Sequence, residues 1–187
     1  LYAARAHVVV DTPDKVKVPV RGGPRILAED LLTRMKNAKE SVVLISPYFV
    51  PEDYGSRLFQ DLAQRGVKVQ IITNSVGSTN HAYVHAGYRR HRADLLRAGV
   101  ALHEVRPDAL QAVGKLPPDS ETGLVMHTKL AVIDRKDVFI GSLNLDPRSV
   151  KLNTEVGVVI EGEKFAKVLY DEISGGLNTF TYRLTLS

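Results

Sequence analysis

Short apolar runs alternate along the first half of the chain with segments whose apolar positions recur every three or four residues. The runs are rich in β-branched residues and are bounded by turn-prone residues, which is typical of strands; they cover residues 6–10, 41–46, 67–73 and 100–105. The periodic segments between them predict helices that open after Gly22-Gly23-Pro24, extend around residues 58–62 and cover residues 81–98. Such alternation predicts an α/β fold with a mixed, largely parallel sheet flanked by helices.

The second half of the chain opens with a predicted β-hairpin. Residues 123–133 form an apolar and β-branched run, residues 134–137 read as a turn, and residues 138–140 read as a return strand. Side chains alternate between the two faces of a strand, so His127 and Lys129 are expected to point the same way. Because both faces are largely apolar, we expect this strand to be buried, where an imidazole and an ammonium need an anionic partner or ligand.

Three further polar residues complete a chemical pattern around this hairpin. Asp134 begins the turn, and its odd separation from His127 predicts that it faces the opposite side of the strand, so we interpret it as structural. Asn144 can return an amide donor from the far side of the hairpin, and Glu155 precedes the apolar run 156–160, from which its carboxylate can accept an imidazole N–H. A histidine held by a carboxylate beside a lysine and an amide donor suits a nucleophile or general acid that acts on phosphate.

The remaining segments carry less specific signals. We expect an extended segment at 16–20, a terminal helix over 163–173 and an edge strand within 177–186. The long loop 106–122 fits a wall of the substrate groove or a plain surface excursion equally well.

Composition limits the partners without selecting one. The 187 residues carry a formal net charge of +4, which favours anionic partners such as nucleic acid or an acidic lipid surface. Cysteine is absent, so neither disulfides nor a thiolate metal site can form. Because no apolar run approaches the roughly 20 residues that span a bilayer, we expect a soluble or membrane-peripheral piece.

At the hairpin the chain resembles the phospholipase D superfamily. The H-x-K-x4-D motif of that superfamily is present as His127, Lys129 and Asp134, and its later G-[GS]-x-N and glutamate are present as Gly141, Ser142, Asn144 and Glu155. A lone H-x-K pair is more often a core histidine and a snorkelling lysine, but the longer pattern favours a functional site. Additional segments resemble the bacterial cardiolipin synthase branch: S-P-Y-F-V-P at 46–51, T-N-S at 73–75, V-H-A-G-Y at 84–88, L-D-P-R-S at 145–149 and L-N-T-E at 152–155.

The resemblance implies a single phospholipase D-like αβα domain over residues 1–187 and phosphodiester exchange without a metal or other cofactor. Two motifs then share one site, where one histidine forms a phosphohistidine and the other protonates the leaving alcohol. His127 would be either of these, Lys129 and Asn144 would stabilise the phosphoryl oxygens, and Glu155 would orient His127. Asp134, Gly141 and Ser142 would be structural.

This sequence contains one such motif, so the second must come from another chain segment. A homodimer mate and a preceding half of a longer polypeptide are both possible, and we expect the chain to be the C-terminal half of a two-motif enzyme.

Substrate-groove candidates follow from strand ends and from the softer motifs. Tyr48 and Asn74 come after predicted parallel strands, whose carboxyl ends bind ligands in α/β sheets. His85 and Tyr88 lie on the predicted helix 81–98, and we expect them to face the groove or cap it. His81 and His85 have a zinc-compatible spacing, but the sequence offers no third ligand.

The resulting functional hypothesis is a phosphatidyltransferase that makes cardiolipin from phosphatidylglycerol-like lipids at the cytoplasmic side of the bacterial inner membrane. Its expected partners are the anionic phospholipid, the membrane surface and the second motif-bearing half. The alternative is a phospholipase D-family phosphodiesterase or nuclease that acts on nucleic acid as a homodimer. A third hypothesis is an inactive half-domain that only completes a partner chain, although the intact motif argues against it.

Overall fold

The computed structural model describes residues 4–17 and 25–186. Its strands are β1 (Arg5–Val10), β2 (Ser41–Ile45), β3 (Lys68–Asn74), β4 (Ala101–Val105), β5 (Leu130–Ile133), β6 (Asp137–Gly141), β7 (Val156–Glu161) and β8 (Thr181–Arg183). Its helices are α1 (Asp14–Lys17), α2 (Ile26–Lys36), α3 (Glu52–Gln64), α4 (Ala82–Arg89), α5 (Arg92–Arg97), α6 (Ala109–Ala112), α7 (Pro147–Lys151) and α8 (Glu163–Phe180).

The eight strands form one mixed sheet in the order β1-β7-β6-β5-β2-β3-β4-β8. Among the described strands only β2–β3 and β3–β4 are parallel, since a parallel pair needs a crossover and helices α3, α4 and α5 provide these two. The other five pairings are antiparallel. The mixed sheet is therefore confirmed, but the prediction that it is largely parallel is wrong.

Helices cover both faces of the sheet, as an αβα sandwich requires. On one face α2, α3 and α5 bury the larger cluster, which includes Leu27, Met35, Phe59, Leu62 and Leu95. On the other face α8 packs against residues of β2, β5 and β6 such as Val43, Val132 and Val138. Strand β5 is buried along its whole length because it lies between these two layers. The predicted sandwich is confirmed.

Several element boundaries differ from the predictions. The single helix expected over 81–98 is two helices, because the His91 N–H bonds to the Tyr88 carbonyl three residues back and tightens the turn between α4 and α5. Helix α8 extends beyond 173 and leaves only a short β8. The loop 106–122 contains α6. Residues 14–17 form α1, so the first two residues of the segment expected to be extended, 16–20, are helical. The expected extended residues 18–20 and the helix opening at 22–24 lie outside the described residues.

The described helices include none that is both long and apolar enough to cross a membrane.

Candidate active site

The segment that carries His127 and Lys129 precedes β5 rather than forming part of it. Residues 123–129 have no ladder partner on a neighbouring strand, except that the Lys129 carbonyl accepts the Gly141 N–H at 3.2 Å. His127 is exposed, whereas Lys129 is 8 % exposed. The expectation that both lie on a buried strand is therefore wrong for His127, which stands in solvent where a substrate can reach it.

The side chain of Asn74 binds this segment, as the backbone of a neighbouring strand would in a sheet. Its side-chain amide donates to the Met126 carbonyl at 3.0 Å, and its side-chain oxygen accepts the Met126 N–H at 3.2 Å. The paired bonds imitate one step of a β-ladder. Asn74 is 3 % exposed and both of its functional groups bind the backbone next to His127, so it positions the motif segment; its expected contact with the substrate stays a prediction.

Lys129 directs its charge toward the backbone of the motif. Its ammonium donates to the His127 carbonyl at 2.8 Å. Burial lowers the pKa of Lys129 below its ordinary value, and the negative charges of Glu155 and Asp146 oppose this effect without cancelling it. The result is a shielded cation beside an exposed imidazole.

Tyr48 and His81 form an aromatic wall next to His127. The ring centroid of Tyr48 lies 6.3 Å from that of His127 and 5.3 Å from that of His81. The Tyr48 hydroxyl donates to the Asn80 side chain at 2.8 Å, which joins the loops after β2 and β3. The structure thus places Tyr48 where a groove residue is expected. The sequence indicated His81 only as a zinc candidate, because its contact with Tyr48 depends on two loops that are far apart in sequence.

His85 and Tyr88 do not reach this wall. Tyr88 is 1 % exposed and packs against Phe49, His85 and Arg92. Burial is the main reason that the pKa of His85 is lowered and that of Tyr88 raised. The imidazole of His85 contacts Arg92 and Glu104. Tyr88 therefore belongs to the core under α4, which corrects its groove assignment, whereas the groove role of the half-buried His85 stays a prediction.

His81 and His85 do not have the arrangement on one helix that a shared zinc site would need. His81 lies before the first residue of α4, so the two side chains do not share a helical face. Its ring faces Tyr48, whereas that of His85 faces Glu104.

Two glycines let the strand after the hairpin approach its neighbour closely. A Cβ at Gly141 would lie 2.5 Å from the Val156 carbonyl oxygen, and one at Gly157 would lie 2.3 Å from the ring of Phe139. Gly141 pairs with Gly157 across β6 and β7. Glycine at 141 is therefore required where the chain turns toward Ser142 and Asn144.

Glu155 is bound by hydroxyl groups rather than by His127. Its carboxylate accepts from the hydroxyls of Ser142 and of Ser149, the latter at 2.5 Å, and from the Asn153 amide at 3.3 Å. These contacts correct the expectation that Glu155 holds the imidazole of the same chain. Ser142 fits its structural assignment, because its hydroxyl also accepts the Val156 N–H at 3.1 Å.

Asn144 follows the close glycine pair. Its backbone N–H donates to the Ser149 hydroxyl at 2.9 Å. Its side-chain oxygen is buried and has no hydrogen-bond partner among the described residues. Such an atom usually pairs with a ligand or with another group when one is available.

Asp134 makes the contacts expected of a structural residue. Its carboxylate accepts the backbone N–H groups of Lys39, Glu40 and Ser41 at 2.7 to 3.0 Å. Burial raises the pKa of Asp134, but these three donors outweigh it and leave the pKa below its ordinary value. The carboxylate therefore closes the turn between β5 and β6 onto the start of β2.

Replacing Asp134 by asparagine should lower the free energy of unfolding near neutral pH by about 1 to 2 kcal/mol, because three N–H groups lose a charged acceptor. A lowered folded-state pKa makes this contribution fully present above the ordinary value of 3.8 and removes it as the pH falls further. Urea unfolding near neutral pH and at about pH 3 should show the difference from wild type shrinking in acid.

Asp137→Asn on the same hairpin is the matched control. Burial raises the pKa of Asp137, so neutralising it should cost little near neutral pH. An Asp134→Asn protein of wild-type stability that lacks activity would contradict the structural role.

An αβα sandwich that presents an exposed histidine two residues before a shielded lysine, with G-S-x-N at the end of the adjoining strand β6, defines a phospholipase D-like domain. The chain belongs to this class: the family model described as "Cardiolipin synthase, PLD-like domain" matches residues 31–175. Cardiolipin synthase C of Escherichia coli K12 is 42 % identical over 171 residues, which cover 90 % of this chain and 36 % of that protein. The chain thus spans about a third of the length of the first curated relatives it matches.

Solved structures show the same fold at lower sequence identity. Nuc from Salmonella typhimurium, described as a phospholipase D family member, aligns with a TM-score of 0.68 and 19 % identity over 97 % of this chain and 100 % of that one. Phosphatidylserine synthase from Haemophilus influenzae aligns with a TM-score of 0.67 and 13 % identity over 98 % of this chain and 40 % of that one.

Proposed function

We propose that this chain supplies one half of a phosphatidyltransferase site that makes cardiolipin from phosphatidylglycerol-like lipids through a phosphohistidine. The observation that carries the proposal is the exposed His127 beside the shielded Lys129, in a domain of the cardiolipin synthase family. Attack requires a solvent-accessible nitrogen, and the developing phosphoryl charge requires a nearby cation.

The proposed step balances with two histidines. An imidazole nitrogen of one histidine forms a bond to phosphorus as the bond to the leaving glycerol oxygen breaks, and the second histidine gives that oxygen a proton. The hydroxyl of a second phosphatidylglycerol then attacks phosphorus, returns a proton to the second histidine and breaks the N–P bond. His127 takes either role, while Lys129 and Asn144 stabilise the charged oxygens.

An apolar cavity beside His127 favours a lipid substrate. The cavity measures about 430 Å³ and is walled by residues of the motif segment and α8, which include Val125, Met126, Ile173, Leu177 and Phe180. Nucleic acid offers no comparable apolar group next to its phosphate, whereas a phospholipid does. We therefore propose that the protein works at the surface of the bacterial inner membrane, on the cytoplasmic side.

The alternative is a phosphodiesterase or nuclease that pairs two copies of this chain. The alignment with Nuc favours this alternative. It covers 100 % of the Nuc chain, so a phospholipase D family member of about this length exists as a separate chain. The net charge of +4 is compatible with nucleic acid as well as with anionic lipid.

A transfer assay separates these functions. The chain, joined to a second H-x-K half-domain, would be mixed with phosphatidylglycerol vesicles or with single-stranded DNA, with and without a chelator. We expect cardiolipin and free glycerol to form, and the rate to survive chelation. Cleavage of DNA without lipid transfer would favour the alternative, and a requirement for added metal would overturn the metal-free mechanism.

Lys129→Ala should lower kcat by about 10²- to 10³-fold, because it removes a preorganised cation from a transition state with several charged oxygens. Steady-state kinetics on the joined protein would measure this change. Lys167→Ala is the matched control, since Lys167 is an exposed lysine of α8 that pairs with Glu163. A Lys129→Ala protein with wild-type kcat would refute the role.

A further inference from the structure

A buried ion pair lies behind the candidate site, and no role proposed above involves it. The ammonium of Lys15 in α1 lies 2.5 Å from the carboxylate of Asp11, and both side chains are completely shielded from solvent. Buried pairs of this kind rarely stabilise a fold more than apolar residues of the same size, because desolvation offsets their attraction. Stability alone therefore does not account for the pair.

The other hydrogen bonds of the pair extend toward the site. The Lys15 ammonium donates to the Ser149 carbonyl at 3.1 Å. The Asp11 carboxylate accepts the Glu155 N–H at 3.2 Å and, through its other oxygen, the Leu27 N–H at 3.0 Å. The pair thus ties together the end of β1, the first turn of α2 and the segment that carries Ser149 and Glu155.

Ser149 connects this buried pair to Asn144, a proposed site residue, and to Glu155, whose negative charge acts on Lys129. Its hydroxyl donates to the Glu155 carboxylate at 2.5 Å and accepts the Asn144 N–H at 2.9 Å. Ser149 is 1 % exposed, and its own N–H is held by Asp146, the N-cap residue of α7, at 3.2 Å. Any displacement of this one side chain would move both Asn144 and Glu155.

We propose that Ser149, anchored by the buried Lys15–Asp11 pair, is a positioning residue that fixes Asn144 and Glu155 at the edge where His127 and Lys129 lie. This inference rests on the proposed function, because it assigns the cluster to the same transfer site. Ser149 does not face the substrate; it acts through the two residues that it holds. Misplacement of reacting groups by about 1 Å can cost about 10²-fold in rate.

Ser149→Ala in the joined two-motif protein tests the proposal with the smallest possible change. We expect kcat per active site to fall by about tenfold to a hundredfold, with KM nearly unchanged because substrate contacts remain. Ser56→Ala is the matched control: Ser56 is also a buried helical serine, and its hydroxyl accepts from Gln60 in its own helix. The control should keep wild-type kcat even where its thermal midpoint drops as much as that of Ser149→Ala.

A second variant examines the anchor. Asp11→Asn combined with Lys15→Met removes both charges at nearly constant volume; one backbone N–H loses its acceptor, but no unpaired charge is left buried. The double variant should fold and should show the same loss of kcat as Ser149→Ala. The effects should also be less than additive when the three changes are combined, because they act on one unit.

The outcomes separate this inference from the function on which it rests. A joined wild-type protein with no phosphodiester turnover would overturn both. An active wild type with a Ser149→Ala variant of equal kcat would overturn the inference alone. Failure of both Ser149→Ala and the double variant to fold would assign the cluster to stability and would also overturn it.

Discussion

His127→Ala is expected to abolish phosphodiester transfer while the protein stays folded. The imidazole is exposed and has an edge contact with Tyr48, so its removal opens no cavity in the core. General acid–base catalysis alone contributes about 10²- to 10⁴-fold, and loss of a covalent nucleophile costs more. We therefore expect a loss of at least about a thousandfold, measured as initial rate in the joined two-motif protein.

His91→Ala serves as the control for the loss of a histidine elsewhere. His91 is partly exposed, lies at the N-terminus of α5 and makes no side-chain capping bond there. It should keep full activity, and both variants should match wild type in circular dichroism and thermal midpoint. Near-wild-type transfer by His127→Ala would refute the assignment of His127.

The chain alone, as a monomer, is expected to be inactive. One histidine cannot remain bonded to phosphorus and also give a proton to the departing oxygen in the same step. Neither of the other imidazoles nearby sits in an H-x-K motif: His81 meets Tyr48 edge-on, and burial lowers the pKa of His85, which contacts Arg92 and Glu104. We therefore expect the missing donor to come from a second half-domain.

Size-exclusion chromatography and activity across a dilution series would measure this dependence. If two copies pair, specific activity should fall as the dimer dissociates, whereas a covalently joined second half should make activity independent of dilution. A strictly monomeric chain that turns over a phosphodiester at a normal rate would contradict the shared site.

The sequence predicted the layers of the fold because those depend on local periodicity. The apolar runs at β2, β3 and β4 and the helices between them produced the expected sandwich. The antiparallel pairing of β5 with β6 was also readable, from the predicted hairpin, but the antiparallel pairing of β5 with β2 was not, since β5 enters the sheet beside β2 after a long connection. Pairing between distant segments is a tertiary property that periodicity does not encode.

The site was predictable where chemistry and local spacing coincide, and not where contacts are long-range. His127 and Lys129 are neighbours in sequence, but the segment 123–129 has the composition of a strand and is held instead by Asn74, 52 residues away from Met126. The helical spacing of His81 and His85 was misleading because the helix starts one residue too late.

Ser149 and its anchor illustrate the same limit. Asp146 caps α7 and Pro147 opens it, which places Ser149 in the first turn of that helix. Nothing local to Lys15 indicates that its ammonium reaches a carbonyl 134 residues further along the chain. Burial of a lysine becomes recognisable only when both segments are seen together.

The most direct test of the account is to trap phosphorus on histidine during transfer. The joined two-motif protein would be mixed rapidly with phosphatidylglycerol labelled in its phosphate, quenched in alkali and digested, and the labelled peptides would be located by mass spectrometry. The account predicts an acid-labile adduct on one H-x-K histidine, deacylated by the alkali but still carrying the labelled phosphate, with His127→Ala either losing the label or accumulating it on the partner motif. Cardiolipin formation with no labelled histidine at any time, or label that forms and turns over normally in His127→Ala, would contradict it.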